Sequence, residues 1–266
     1  MNLFLREIAA NRKSTLIWAV SLSAIAILFT AMYPGFSKDV DALARVLEQF
    51  PEAIKAAFNL TADTFLTVEG FYGYILSFAV LAAAIQAMNV GTGAISKEVA
   101  GKTADFLLSK PVTRTRVFGA KLLAGFAVIV VTSLVFAAVS YLAISAVAPG
   151  EADGGTVLLL ASTLFLMQLV FLALGSLFGV VIPKIKSVIA VSLPTVFAFY
   201  IIGALGDVLG QDEVRYVSPF RYFDPAYIIQ NQSLEAKYLV VGAIVMIVAL
   251  AVSYLVFIKK DIRSAT

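Results

Sequence analysis

Ser96–Lys121 reads SKEVAGKTADFLLSKPVTRTRVFGAK, a charged stretch set between two long apolar runs. Six of its residues are basic (Lys97, Lys102, Lys110, Arg114, Arg116, Lys121) and two are acidic (Glu98, Asp105), a local charge of +4. Such an excess predicts a place on the cytoplasmic side of a membrane. The stretch also carries the punctuation of a folded element. Gly101 can end the preceding helix in a left-handed conformation, Thr103 can cap a new one, and Pro111 stops it. The result is a short helix over about Thr103–Ser109, with Ala104, Leu107 and Leu108 on one face and Phe106 beside them. An apolar face on a short helix in a charged loop calls for cover, either the bilayer interface or another protein. Beyond Pro111, Thr113 caps a further helix that enters the membrane through Arg116 and Lys121.

Working outward, composition sets the class. The chain of 266 residues is 61% hydrophobic and only 14% charged, with a mean hydropathy of +0.94, which places it outside the range of soluble domains. Charge-free runs occupy Ser14–Ser37, Gly70–Ser96, Leu122–Gly150, Gly154–Pro183, Ser187–Gly206 and Tyr238–Ile258. Each is long enough to cross about 30 Å of hydrocarbon as a helix. We therefore expect an all-α membrane protein, one transmembrane domain over 1–266, with spans near 15–34, 70–95, 120–148, 156–182, 188–206 and 238–258. Six spans return both termini to one side. The segments on that side hold 14 basic and four acidic residues, the opposite segments six basic and 13 acidic, so the termini are expected in the cytoplasm. Met1–Lys13 does not read as a cleaved leader, because the run behind it is too long and no small-residue cleavage pattern closes it.

The pattern around the opening stretch resembles the cytoplasmic loop of type-2 ABC transporter permeases. The residues that carry the resemblance are Glu98, Gly101, Thr103, Asp105, Leu107-Leu108-Ser109, Pro111-Val112, Thr113-Arg114 and Gly119 with Lys121. Lys102 stands between the Gly and the Thr, which are usually adjacent in that family. The resemblance implies that the short helix docks on a separate ABC ATPase subunit and passes its motion to the spans. Phe106 and Leu107 would be its buried anchors, and Arg114 and Arg116 its rim charges. It further implies a second permease subunit, the same chain or a related one, with ATP and Mg held by the ATPase and no cofactor in this chain. The segment Met1–Lys13 would then be an interfacial helix beside the ATPase; read from its residues alone, a simple basic anchor serves equally.

Several other features bear on function. Gln86 and Asn89 lie one turn apart in the second span and Gln168 lies in the fourth; such amides either line a substrate path or bond across helices. Gly175-Ser176-Leu177-Phe178-Gly179 is a GxxxG that permits close helix approach. Pro183–Ser187 is a tight turn that makes the fourth and fifth spans antiparallel neighbours, and Pro194 predicts a kink in the fifth. Residues 34–69 contain an amphipathic stretch with Val40, Leu43, Leu47, Phe50, Ile54 and Phe58 at helical spacing, broken at Pro51. Residues 207–237 cluster Tyr216, Phe220, Tyr222, Phe223 and Tyr227, suited to half-burial at the headgroup level and resembling the outer re-entrant region of type-2 permeases; a lid over an exit route and a plain interfacial anchor fit equally.

Catalytic chemistry finds no foothold. The chain has no histidine and no cysteine, which removes imidazole bases, thiol nucleophiles and the usual zinc ligands. Gly91-Thr92-Gly93 lacks the spacing of a phosphate loop and reads as packing. No span holds a carboxylate for ion coupling, which speaks against a secondary transporter. A membrane scaffold or immunity protein without an ATPase is the other alternative, and nucleic acid is not an expected partner.

Overall fold

The computed structural model describes residues 3–37, 45–52, 54–55, 67–100 and 113–259, with backbone only for 97–100. Six long helices carry the fold: α1 (Leu3–Thr30), α2 (Val68–Ala100), α3 (Arg114–Val147), α4 (Gly154–Val181), α5 (Val188–Leu209) and α6 (Ala236–Lys259). All six are long and apolar enough to cross a bilayer, and no strand occurs among the described residues. The bundle has a basic end, where Leu3, Arg114 and Lys259 lie, and an acidic end with the connections at 148–153 and 210–235.

The helices overrun the charge-free segments. Leu3–Thr30 is one uninterrupted helix, so residues 3–13 continue the first span where the resemblance implied a separate interfacial helix. A charged turn costs a helix nothing once it leaves hydrocarbon, so charge marks the membrane boundary rather than the helix end. Local chemistry fixes the starts. Thr113 takes an extended backbone and its hydroxyl accepts from Arg116 N at 3.3 Å. Asp153 accepts from both Thr156 N and Thr156 Oγ1 at 2.7 Å, holding its own carboxyl below the usual carboxylate range. At the far end of α5, Gly210 adopts φ +63° and closes the helix through its N–H, a conformation cheap only for glycine.

α2 and α4 form the centre, and theirs is the most extensive interface in the bundle. Small residues make it possible. A Cβ on Gly175 would lie 2.5 Å from Met88 O and 3.0 Å from Thr92 N, and one on Gly91 would strike the Leu172 carbonyl. The helix backbones therefore touch directly, and the GxxxG of α4 meets Gly91 and Thr92 of α2. α1 packs on α3 and α2, α3 on α4, and α6 on α4 and α3. α5 leans chiefly on α2, contrary to the antiparallel α4–α5 pair expected from the short link 182–187; it reaches α4 through the edge of Phe199 against Phe171. The faces of α4 are already taken by α2, α3 and α6. α5 runs through Pro194 without a break.

Short pieces close the acidic end: Tyr33–Phe36, Val214–Val217, Pro219–Arg221 and Pro225–Asn231. In the amphipathic 34–69 stretch the chain turns at Pro51, Leu47 is buried in the core, and Phe50 and Ile54 are exposed; Val40, Leu43 and Phe58 lie outside the described residues. The aromatic cluster is graded in burial. Tyr222 is buried, Phe220 and Phe223 pack on the main core, and Tyr216 alone among these is well exposed.

Candidate functional site

At the basic end the start of α3 is fastened to two other helices. Arg114 donates through its guanidinium to Ile258 O of α6 at 3.1 Å. Thr115 Oγ1 and Tyr254 Oη share a hydrogen bond of 3.1 Å, and the Phe118 ring packs on Tyr254 and Phe257. One turn further, Lys121 is buried and its Nζ lies 2.9 Å from Glu7 Oε1 of α1. Burial of Lys121 raises the value of this charge-assisted contact. The start of α3 is thus joined to α1 and α6 through charged and aromatic contacts.

The segment that leads into this clamp is not described. Gly101, Thr103, Asp105, Phe106, Leu107, Leu108 and Pro111 lie outside the described residues, and so does the side chain of Glu98, whose backbone belongs to α2. Arg114 and Arg116 are described and differ. Arg114 is engaged on α6, whereas Arg116 is exposed on the first turn of α3. Neither Glu7 nor its bond to Lys121 stood out in the sequence, since a pairing across 114 positions leaves no local signal.

Deep in the bundle, the amides of separate spans meet. Gln168 Nε2 donates to Gln86 Oε1 at 3.0 Å, Ser133 Oγ donates to Gln168 Oε1 at 2.6 Å, and Thr132 Oγ1 lies 3.4 Å from both amide nitrogens. Both glutamines are fully buried. The cluster ties α2, α3 and α4 together, and each amide finds partners without water. Asn89, one turn along, is not part of it; its Oδ1 is buried with no hydrogen-bond partner among the described residues.

At the acidic end a cavity of about 420 Å³ lies between α2, α4, α5 and the 220–230 segment, within the about 300–1,000 Å³ usual for small-molecule sites. Phe78, Met167, Phe220 and Phe223 line its body, and Tyr74 and Tyr200 add phenol groups. Asp207 and Arg221 line it as an ion pair. Behind them Arg215 pairs with Glu235 and stacks over the Tyr238 ring at 4.0 Å, and the Tyr222 hydroxyl donates to Tyr216 O at 3.1 Å. Burial pushes the Tyr222 phenol above its ordinary value. Gly203 admits this cover. A Cβ there would lie 2.8 Å from Ser218 Oγ, whose hydroxyl instead donates to Phe199 O at 2.7 Å.

Six apolar helices around a buried polar cluster, a clamp at one end and a cavity at the other, describe a multi-pass transmembrane protein. The family model described as ABC-2 family transporter protein matches residues 1–262. The chain belongs to that family and is a membrane component of ABC transport. Comparison with curated proteins returns no match.

Proposed function

We propose that this chain is the transmembrane subunit of an ATP-binding cassette exporter, a single permease domain that forms the translocation path and is driven by a separate ATPase subunit. The family match over 1–262 carries this reading, since permeases of the family generally pair with an ABC ATPase. The charged stretch 96–121 is the coupling element, with Phe106 and Leu107 as anchors in a cleft of the ATPase and Glu98, Gly101, Thr103, Asp105, Leu108 and Pro111 shaping the loop. The clamp at the start of α3 supports it, because motion of the loop would be delivered to α1, α3 and α6 at once. The basic end faces the cytoplasm, two permease subunits assemble with two ATPase subunits in the plasma or inner membrane, and ATP with Mg is bound by the ATPase alone.

The test is a double substitution, Phe106→Ala with Leu107→Ala. Insertion and expression should persist while the ATPase is lost on co-purification and transport stops; truncating such anchors commonly costs about 2 kcal/mol or more. Gln86→Ala should leave the ATPase bound. Full binding and transport in the double variant would remove the loop from the coupling role.

A further inference from the structure

The cavity at the acidic end has a charge pattern that selects a ligand. Its body is apolar and aromatic, formed by Phe78, Met167, Phe220 and Phe223, which suits a hydrocarbon or aromatic moiety. Its uncharged polar side chains include Tyr74, Tyr200, Ser77 and Gln230, and its charged ones are one ion pair, Asp207 with Arg221, both partly shielded from solvent. Close by, Arg215 is paired with Glu235 and Asp224 caps Ala226 N. Among the described lining residues the one acid and the one base balance, with no net charge.

This balance makes a head group of either sign costly. An anion drawn to Arg221 would release Asp207, and a cation drawn to Asp207 would release Arg221; either way a half-buried charge is left without its partner. A head group carrying both signs replaces one internal pair by two, and an uncharged one leaves the pair intact. A zwitterionic head keeps both Asp207 and Arg221 compensated.

We propose that this cavity binds a zwitterionic amphiphile, its chain among the aromatic side chains and its anionic and cationic groups on Arg221 and Asp207. The inference rests on the permease reading only in making that amphiphile the cargo class; the binding itself needs no ATPase and no nucleotide.

The experiment measures equilibrium binding of three single-chain probes with the same acyl or alkyl length to the full chain in a nanodisc without nucleotide: lysophosphatidylcholine, lysophosphatidylglycerol and an alkyltrimethylammonium. The zwitterion should bind saturably, and the two charged probes roughly tenfold or more weakly. Asp207→Asn should reverse the order in favour of the anion, and Arg221→Gln in favour of the cation. Ala204→Phe, which fills the cavity, should abolish binding of all three. The exchanged pair Asp207→Arg with Arg221→Asp guards against misfolding, because it restores the ion pair and should restore the zwitterion preference. Absence of saturable binding, equal affinity for the three heads, or indifference to Ala204→Phe would overturn the proposal. Such a failure would leave the Phe106 and Leu107 test untouched, and loss of the coupling reading would leave this site standing.

Discussion

Gln168 Nε2 donates to Gln86 Oε1 at 3.0 Å, and neither side chain retains exposed surface. This bond joins the two central helices in surroundings where an unpaired amide has no water to turn to.

Each glutamine should therefore be more costly to remove alone than as a pair. Gln86→Leu leaves the Gln168 amide short of a partner and should lower stability by about 1–2 kcal/mol, with Gln168→Leu similar. The double Leu variant should fall well short of the sum, because no orphaned amide remains. Thermal unfolding in detergent, read as a double-mutant cycle, checks this; strict additivity would mean that the two amides do not interact.

Glycines of the same bundle should respond with opposite signs. Gly175→Ala forces a methyl against Met88 O and should cost about 1–3 kcal/mol as α2 and α4 separate. Gly119→Ala meets nothing within 4 Å and should stabilise α3 by up to about 1 kcal/mol through helix propensity. Unfolding midpoints of both variants decide the matter. Equal effects would place the close approach elsewhere.

Much of this architecture was legible, and the reasons differ by element. The six spans stood out because a charge at the bilayer centre is costly, which empties each run of Asp, Glu, Lys and Arg. Thr113 as the cap of α3 was legible because capping is local. The small residues of Gly91–Gly93 and Gly175–Gly179 were readable as packing surfaces, yet nothing in either said that they face one another. Interhelical pairs such as Gln86–Gln168 and Glu7–Lys121 join distant positions, and helical periodicity names a face without naming its partner. The short link 182–187 misled for a related reason: loop length limits where α5 can start, while the free face of α2 decides where it packs. The aromatic residues of 216–227 left two readings open, a lid and an interfacial anchor, because side-chain type alone does not separate a lipid-facing belt from an inward-facing cover.

The capping carboxylate of α4 carries a pH dependence. Asp153 binds Thr156 more tightly as a carboxylate, so its folded pKa lies below its unfolded value near 3.9. Its contribution is complete above that unfolded value and is lost as pH falls through the depressed folded one. Stability of the wild-type chain should decline more steeply below about pH 4 than that of Asp153→Asn, which keeps an N-cap acceptor but does not titrate. Superimposable acid profiles would show that the cap adds nothing in this range.

The final prediction concerns orientation, and the sequence makes it clean to test because the chain has no cysteine. Every single-cysteine variant therefore reports one site. Glu151 and Asp212 are exposed at the acidic end, and Arg116 and Lys184 are exposed at the basic end. Under the charge asymmetry, Glu151→Cys and Asp212→Cys should react with a membrane-impermeant maleimide added to intact cells, while Arg116→Cys and Lys184→Cys should react only after permeabilisation. Three of the positions lie in connections between helices and Arg116 lies on the first turn of α3, so a coherent two-against-two pattern tests the whole topology and not one loop. Labelling of Arg116→Cys from outside would invert the chain. It would also remove the loop at 101–112 from reach of a cytoplasmic ATPase, and the coupling proposal with it.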